Sequence, residues 1–410
     1  MTRPLSRLLG LLCLLLPILL PGAEHERIGQ GDPRVGYDSS DYTTDSRQIT
    51  GLSGRAADLV ALVDRPPLGL PPLALARPIT VDSVSLGRRL FFDRRLSFNG
   101  TLSCAMCHIP EQGFTQHELT TPAGIEGRVV KRNAPALYNV AYRKILFFDG
   151  REDTLEQQVW SPLLAVNEMG NPSIGVVLRR LNETTDYEAT FIDVFGTGIN
   201  VLTLGMALAD YQRGLISADS PFDRWYFSGM SDAVSDSAKR GFELFVDKDC
   251  SACHQLENGF AHFTDDDFHD TGLGFDVAMK GPQQTTRMQI APGVIIDIES
   301  DALPPNPNDL GRYEITGKPE DRWKFRTPSL RNVAITAPYM HDGSLARLRD
   351  VLDFYNAGGV PHDEQDERVR PLGLTERQIE DIIAFLETLT GSNVDALAAD
   401  ARLAPIGDVD

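Results

Sequence analysis

The run Cys104-Ala-Met-Cys-His108, which returns as Cys250-Ser-Ala-Cys-His254, decides how this chain is read. In a Cys-x-x-Cys-His run the two thiols can reach the two vinyl groups of one porphyrin, and the following histidine is placed beneath the ring as an axial iron ligand. Each run therefore implies one covalently bound haem c. A redox Cys-x-x-Cys needs no histidine after both copies. A four-cysteine zinc site brings its pairs within roughly 15–20 residues of each other, far closer than these two. A structural disulfide pair is the other reading of the thiols. Against it, every cysteine except Cys13 falls inside a haem-type run, and Cys13 lies in an apolar N-terminal stretch.

That stretch reads as a secretory signal peptide: Arg3 and Arg7, an apolar run from Leu8 to Leu20, then Pro21-Gly22-Ala23. It is too short for a membrane span. Cleavage near Ala23 would leave an exported chain starting near Glu24. The formal charge is −19 over 410 residues. Such acidity argues against a nucleic-acid partner, whose phosphates attract a basic surface. It suits a basic partner attracted by long-range steering, or an exported protein kept soluble.

Residues 24 to about 54 are polar and aperiodic, and Pro66, Pro67, Pro71, Pro72 and Pro78 follow, so 24–80 is expected as a loose extension and an extended connector. Val84 to Phe92 has the spacing of a short amphipathic helix leading into the first haem run. Gly-x-x-Leu-Phe precedes both runs, at Gly87 and Gly241, which marks an internal repeat of helix, haem loop and helix. A closing helix is signalled by the capping pair Thr375 and Gln378 and by the apolar face of Ile379, Ile382, Ile383, Leu386 and Leu389, with Gly391 as its stop. The expected class is all-α, with two cytochrome c-like haem domains at 81–234 and 235–395, long loops, and a tail at 396–410. Trp160, Trp225 and Trp323 are expected to pack helices. His262, Asp265, Asp266, Asp267 and His269 form an acidic loop, more often solvated than metal-binding.

From residue 84 to 392 the chain resembles the bacterial di-haem cytochrome c peroxidases and their MauG-type relatives. The resemblance rests on Leu86-Gly-Arg-Arg-Leu-Phe-Phe-Asp93, both haem runs, Arg132-Asn-Ala-Pro135, Phe148-Asp-Gly-Arg151, Phe325-Arg-Thr-Pro-Ser-Leu-Arg-Asn332 and Pro338-Tyr-Met-His-Asp-Gly-Ser344, in matching order and spacing. It implies a periplasmic oxidoreductase. His108 would ligate the haem where hydrogen peroxide reacts, and His254 the haem that passes electrons to it. Glu168 and Gln158 fall on the family's distal glutamate and glutamine. A carboxylate over the open iron face can take the proton of bound peroxide and return it to the leaving oxygen. Tyr355 falls where the peroxidases have the methionine ligand of the second haem and MauG-type enzymes a tyrosine; Met340, Met288 and Met279 are the alternatives. Asn133, Thr336 and Pro338 match the positions that hold a bridging calcium through oxygen atoms.

Departures from the pattern follow the same alignment. Ile125 stands where resting peroxidases have a histidine that blocks the reactive iron, so the site is expected open; nearby His117 reads as an exposed loop histidine. Phe148 replaces the tryptophan between the haems, and Lys248 replaces the one that in MauG faces its protein substrate. The implied partners are peroxide together with a small cytochrome c or cupredoxin as donor, or else a protein substrate whose side chains are oxidised. A non-catalytic electron carrier is the third reading. The oligomeric state is left open.

Overall fold

The computed structural model describes residues 54–183, 186–280, 285–291, 294–299 and 308–404, with backbone alone over 280–299. The expected signal peptide and the extension up to residue 53 lie outside the described residues. Thr80 opens a first long helix, α1 (Val81–Phe92): its hydroxyl accepts from Ser83 N at 3.0 Å and Ser83 Oγ accepts from Thr80 N at 3.0 Å. This closes the capping box that satisfies two otherwise unpaired amides. α1 crosses α2 (Val201–Gly214) at Gly87, where a Cβ would stand 1.9 Å from the Ala207 carbonyl oxygen. The second pair repeats the arrangement. α3 (Asp236–Asp247) crosses α4 (Glu376–Glu387) at Gly241, where a Cβ would stand 1.9 Å from the Asp381 carbonyl oxygen. The recurrent glycine is thus the point of closest helix approach in each half, which no side chain could occupy.

The repeat extends beyond what the haem runs disclose. Phe114 and Phe263 both take a left-handed backbone, φ 55° and 53°, and both are followed by a threonine whose hydroxyl caps a backbone carbonyl, of Ala134 and of Thr327. Asn139 and Asn332 repeat the left-handed conformation, φ 60° and 63°, each at the start of a 3-10 turn. Their side-chain oxygens accept from Ser217 N at 2.9 Å and Gly391 N at 2.8 Å.

Two cores follow from these pairs. The first gathers Leu86, Leu90, Leu204, Leu208 and Tyr211, the second Phe222, Phe245, Phe263, Ile382 and Phe385, all buried. The fold is two cytochrome c-like units of helices and long loops. Among the described residues strands are few: Phe268–His269 pairs antiparallel with Phe325–Arg326, and Thr285–Ala291 pairs antiparallel with Val294–Glu299. That second hairpin, rich in β-branched residues, was not anticipated.

Three stretches differ from expectation. Residues 59–64 are helical rather than extended, with Leu59 and Val63 buried in the first core, and Gly69 lies against Asp223 and Arg331. The tail is a helix, Val394–Ala401, that returns to the first core through Leu397 and Ala401, with Asp400 accepting from Arg88 at 2.7 Å. α4 starts at Thr375 with its capping box, yet it ends at Glu387, before Gly391. Gly391 is small because Ser217 Oγ would lie 2.2 Å from its Cβ.

Candidate haem sites

Each attachment motif is a single 3-10 turn, Cys104–Met106 and Cys250–Ala252, in which the histidine N–H returns to the carbonyl of the first cysteine at 2.9 and 3.0 Å. The turns set all four thiols, none in a disulfide, on the wall of one cavity of about 890 Å³. His108 Nδ1 donates to the Phe114 carbonyl at 3.0 Å and His254 Nδ1 to the Phe263 carbonyl at 2.9 Å. A carbonyl can only accept, so the proton sits on Nδ1 and Nε2 is left as the ligating atom. Burial holds both imidazoles below their ordinary range, hence neutral, the form that binds iron. Phe91 and Phe245, four residues after the repeated glycines, steady these rings with centroids at 6.4 Å in both halves. Two thiols, a neutral imidazole with a free nitrogen and an apolar wall occur twice, which fits two haem c groups.

The halves differ in what else faces the cavity. Beside Cys104 and Cys107 stands Glu168, whose charge acts on both thiols. Burial pushes its carboxyl up, with Arg151 partly offsetting. Gln158 lines the same cavity, at the end of the short helix Leu155–Gln158. Glu168 is held by its backbone: its N–H donates to Ala165 O at 3.0 Å and its carbonyl accepts from Ile125 N at 2.8 Å. Ile125 itself is 3% exposed and packs on Gly170, away from the cavity wall. His117 is half-buried, and its Nε2 lies 3.2 Å from the Ile335 carbonyl, so it is not the exposed loop residue expected.

Beside Cys250 and Cys253 stands the phenol of Tyr355, on α5 (Leu348–Asn356). Burial pushes that phenol up, and the two thiols add to the effect. Of the alternatives, Met340 lines the cavity, Met279 is 62% exposed, and Met288 lies in the strand Thr285–Ala291 with its side chain outside the described set. Phe148 and Lys248 also line the cavity; Lys248 Nζ donates to Leu372 O at 2.8 Å.

Asn133, Thr336 and Pro338 line the cavity too. Asn133 Nδ2 donates to Thr120 O at 2.8 Å, and its oxygen accepts only a long 3.5 Å contact from the Thr115 hydroxyl, so that oxygen is the atom Asn133 could offer a cation. Such oxygen donors suit a hard ion such as calcium.

The acidic loop is largely paired, chiefly with groups on other segments, and of its five named residues Asp267 alone is exposed. Asp266 takes Arg143 at 2.9 Å and Arg326 at 3.3 Å. Asp265 and Asp366 hold the two nitrogens of His269 at 2.8 Å each. Burial opposes the charge of His269, and the bond to Asp265 favours it. Of the tryptophans, Trp160 and Trp323 are each 9% exposed. Sequence reading missed the carbonyls of Phe114 and Phe263; the repeated Phe-Thr at 114–115 and 263–264 was the available signal.

Comparison with known proteins agrees with this geometry. The profile described as di-haem cytochrome c peroxidase matches residues 81–231, and that of cytochrome c matches 238–390. The methylamine utilization protein MauG of Methylorubrum extorquens is 37% identical over 78% of this chain and 81% of its own. Cytochrome-c peroxidase IdrP1 of Denitromonas iodatirespirans is 39% identical over 79% of this chain and 86% of its own. The crystal structure of a MauG-like protein associated with microbial copper homeostasis superposes with a TM-score of 0.65 at 32% identity, covering 81% of this chain and 96% of that one. With both haem motifs on one cavity and these matches on each half, the chain is a member of the di-haem cytochrome c peroxidase and MauG family, a peroxidase-type enzyme built for two haem c groups.

Proposed function

We propose that the chain is a periplasmic peroxidase in which hydrogen peroxide reacts in the His108 half and electrons arrive through the His254 half. The observation that carries this reading is the asymmetry of two otherwise repeated sites: a buried carboxyl, Glu168, in one and a phenol, Tyr355, in the other. When bound, the haem of the first half supplies the redox chemistry that splits the O–O bond. Glu168 takes the peroxide proton and returns it to the departing oxygen, which a carboxyl raised by burial is suited to do. Gln158 orients the oxygen by hydrogen bonding, and Arg151 limits how far the carboxyl rises. The apolar wall keeps bulk water from competing. Asn133, Thr336 and Pro338 are proposed to hold calcium. Domain limits at 81–234 and 235–395 and a leader removed near Ala23 complete the proposal.

Spectra of the ferric, haem-loaded protein test it. We expect cyanide to bind one of its two haems and peroxide to change the spectrum of that one; a protein in which neither responds is an electron carrier, and the proposal fails.

A second reading, oxidation of side chains in a protein substrate as in MauG, is favoured by Tyr355 and by the buried Ile125, and opposed by Phe148 and Lys248. Brisk steady-state turnover with a reduced small cytochrome c excludes it. Tyr355 itself is testable. A phenolate ligand stabilises ferric iron whereas a thioether favours ferrous, so Tyr355→Met should raise the potential of the second haem strongly. An unchanged potential in redox titration would reduce Tyr355 to a packing residue.

A further inference from the structure

The second core is aromatic where the first is mainly aliphatic. His254 donates to the Phe263 carbonyl at 2.9 Å, and the Phe263 ring lies 5.3 Å from that of Phe222. Phe222 stacks on Tyr226 at 5.2 Å, with 13° between planes. A parallel route runs from Phe245 to Phe385 at 5.1 Å, to Phe242 at 5.4 Å and on to Tyr226 at 5.2 Å. Trp225 joins at the same end, 5.9 Å from Tyr226 and 5.6 Å from Phe242. Tyr226 is 47% exposed. An unbroken series of ring contacts therefore links the iron-ligand histidine to solvent. Its inner members are all phenylalanine, which is hard to oxidise, and its outer two are the tryptophan and the tyrosine, which are not.

Packing alone does not demand this composition. The short helix that leans on the first pair, Leu59–Asp64, is Leu-Val-Ala-Leu-Val-Asp and carries no ring, although Leu59 meets Gly214 of α2 just as Phe222 meets α3 and α4. In the first half the tyrosines packed on the rings around His108 are enclosed: Tyr211 sits against Phe91 at 5.3 Å and is fully buried, and Tyr138 sits against Phe114 at 5.4 Å and is 8% exposed. At the surface, a second cavity of about 300 Å³ lined by Tyr226, Phe242, Val246 and Leu256 also includes Ser251, which lies inside the second attachment motif.

We propose that Trp225 and Tyr226 are the outer end of an electron path into the His254 half, a surface oxidation site where a one-electron donor meets the protein. This rests on the peroxidase reading. Reducing one peroxide to two waters takes two electrons and two protons. The path delivers electrons singly: Tyr226 gives one inward and its hydroxyl proton to solvent, and the donor then reduces the neutral phenoxyl, which regains a proton from water. Trp225 can hold the same vacancy when Tyr226 is occupied.

The test uses haem-loaded enzyme treated with hydrogen peroxide and no donor, in the presence of a nitroso spin trap, with adducts located by peptide mass spectrometry. We expect the adduct on the peptide containing Trp225 and Tyr226. The double variant Trp225→Phe/Tyr226→Phe, which keeps ring packing, should lose most of the label while haem content and cyanide binding stay as in wild type. Adducts confined to other residues, or label undiminished in the double variant, overturn the path while peroxide is still consumed. If wild type fails to consume peroxide, the peroxidase reading falls and takes the path with it.

Discussion

Replacing Glu168 by glutamine is expected to slow the reaction with peroxide by about 10²-fold or more, the usual size of a lost acid–base contribution. Glutamine has nearly the shape of glutamate and can still donate or accept a hydrogen bond, but it cannot take up a proton and give it back. The backbone that presents the side chain is independent of the carboxyl. Ile125 N holds the Glu168 carbonyl at 2.8 Å, and Gly124 must stay small because the Asn167 carbonyl oxygen would lie 2.0 Å from its Cβ. Haem content should therefore be unchanged. The pH dependence separates this role from a purely steric one. Burial raises the Glu168 carboxyl, so in wild type the free base is lost as pH falls through that raised value and the rate should fall with it. The Glu168→Gln variant should lack that acid limb. Stopped-flow rates that match wild type, or an acid limb that survives the substitution, would remove Glu168 from the chemistry.

What could be read from sequence was local or repeated. Two Cys-x-x-Cys-His runs announce their own chemistry, and Thr375 with Gln378 defines a helix start that the structure reproduces. Gly87 and Gly241 were visible as a repeat, though only the crossing of two helices explains why each must lack a side chain. Elsewhere the partners come from far along the chain. Residues 59–70 look like part of a proline-rich connector, yet Leu59 is buried against Gly214 and Gly69 against Asp223. The tail helix is packed because Leu397 and Ala401 find the first core and Asp400 finds Arg88. The acidic loop looked solvated because the cations that neutralise it, Arg143 and Arg326, stand on other segments. Phe114 and Phe263 carry no warning of their conformation, since a bulky residue seldom takes positive φ. Their carbonyls hold His108 and His254, so this blind spot fell on the candidate site itself.

The largest stability effect is expected at Asp223. Its carboxylate meets the Arg331 guanidinium through two bonds of 2.9 Å, and the side chains are 0% and 1% exposed. Arg331 also donates to the carbonyls of Ala261 and Gly69, both at 2.6 Å. Asp223 in turn accepts from the N–H and hydroxyl of Ser220 at 2.9 Å, capping the helix Pro221–Tyr226. One ion pair thus ties the N-terminal connector, the second haem loop and the helix that carries Phe222 and Tyr226. Each guanidinium nitrogen and both carboxylate oxygens have a partner, which offsets much of the cost of burying the two charges. Asp223→Ala leaves the guanidinium buried without a counter-charge, and about 3–5 kcal/mol of stability should be lost, as when one partner of a buried pair is removed. Chemical unfolding of the haem-loaded proteins measures this. Adding Arg331→Met to the same chain withdraws the stranded charge, so the double variant should recover part of the loss. Were the pair to behave as an exposed one, the single variant would lose only about 1 kcal/mol or less. That result would mean water reaches Arg331 once the carboxylate is gone, and the connector would then be held by the buried Leu59 and Val63 rather than by charge.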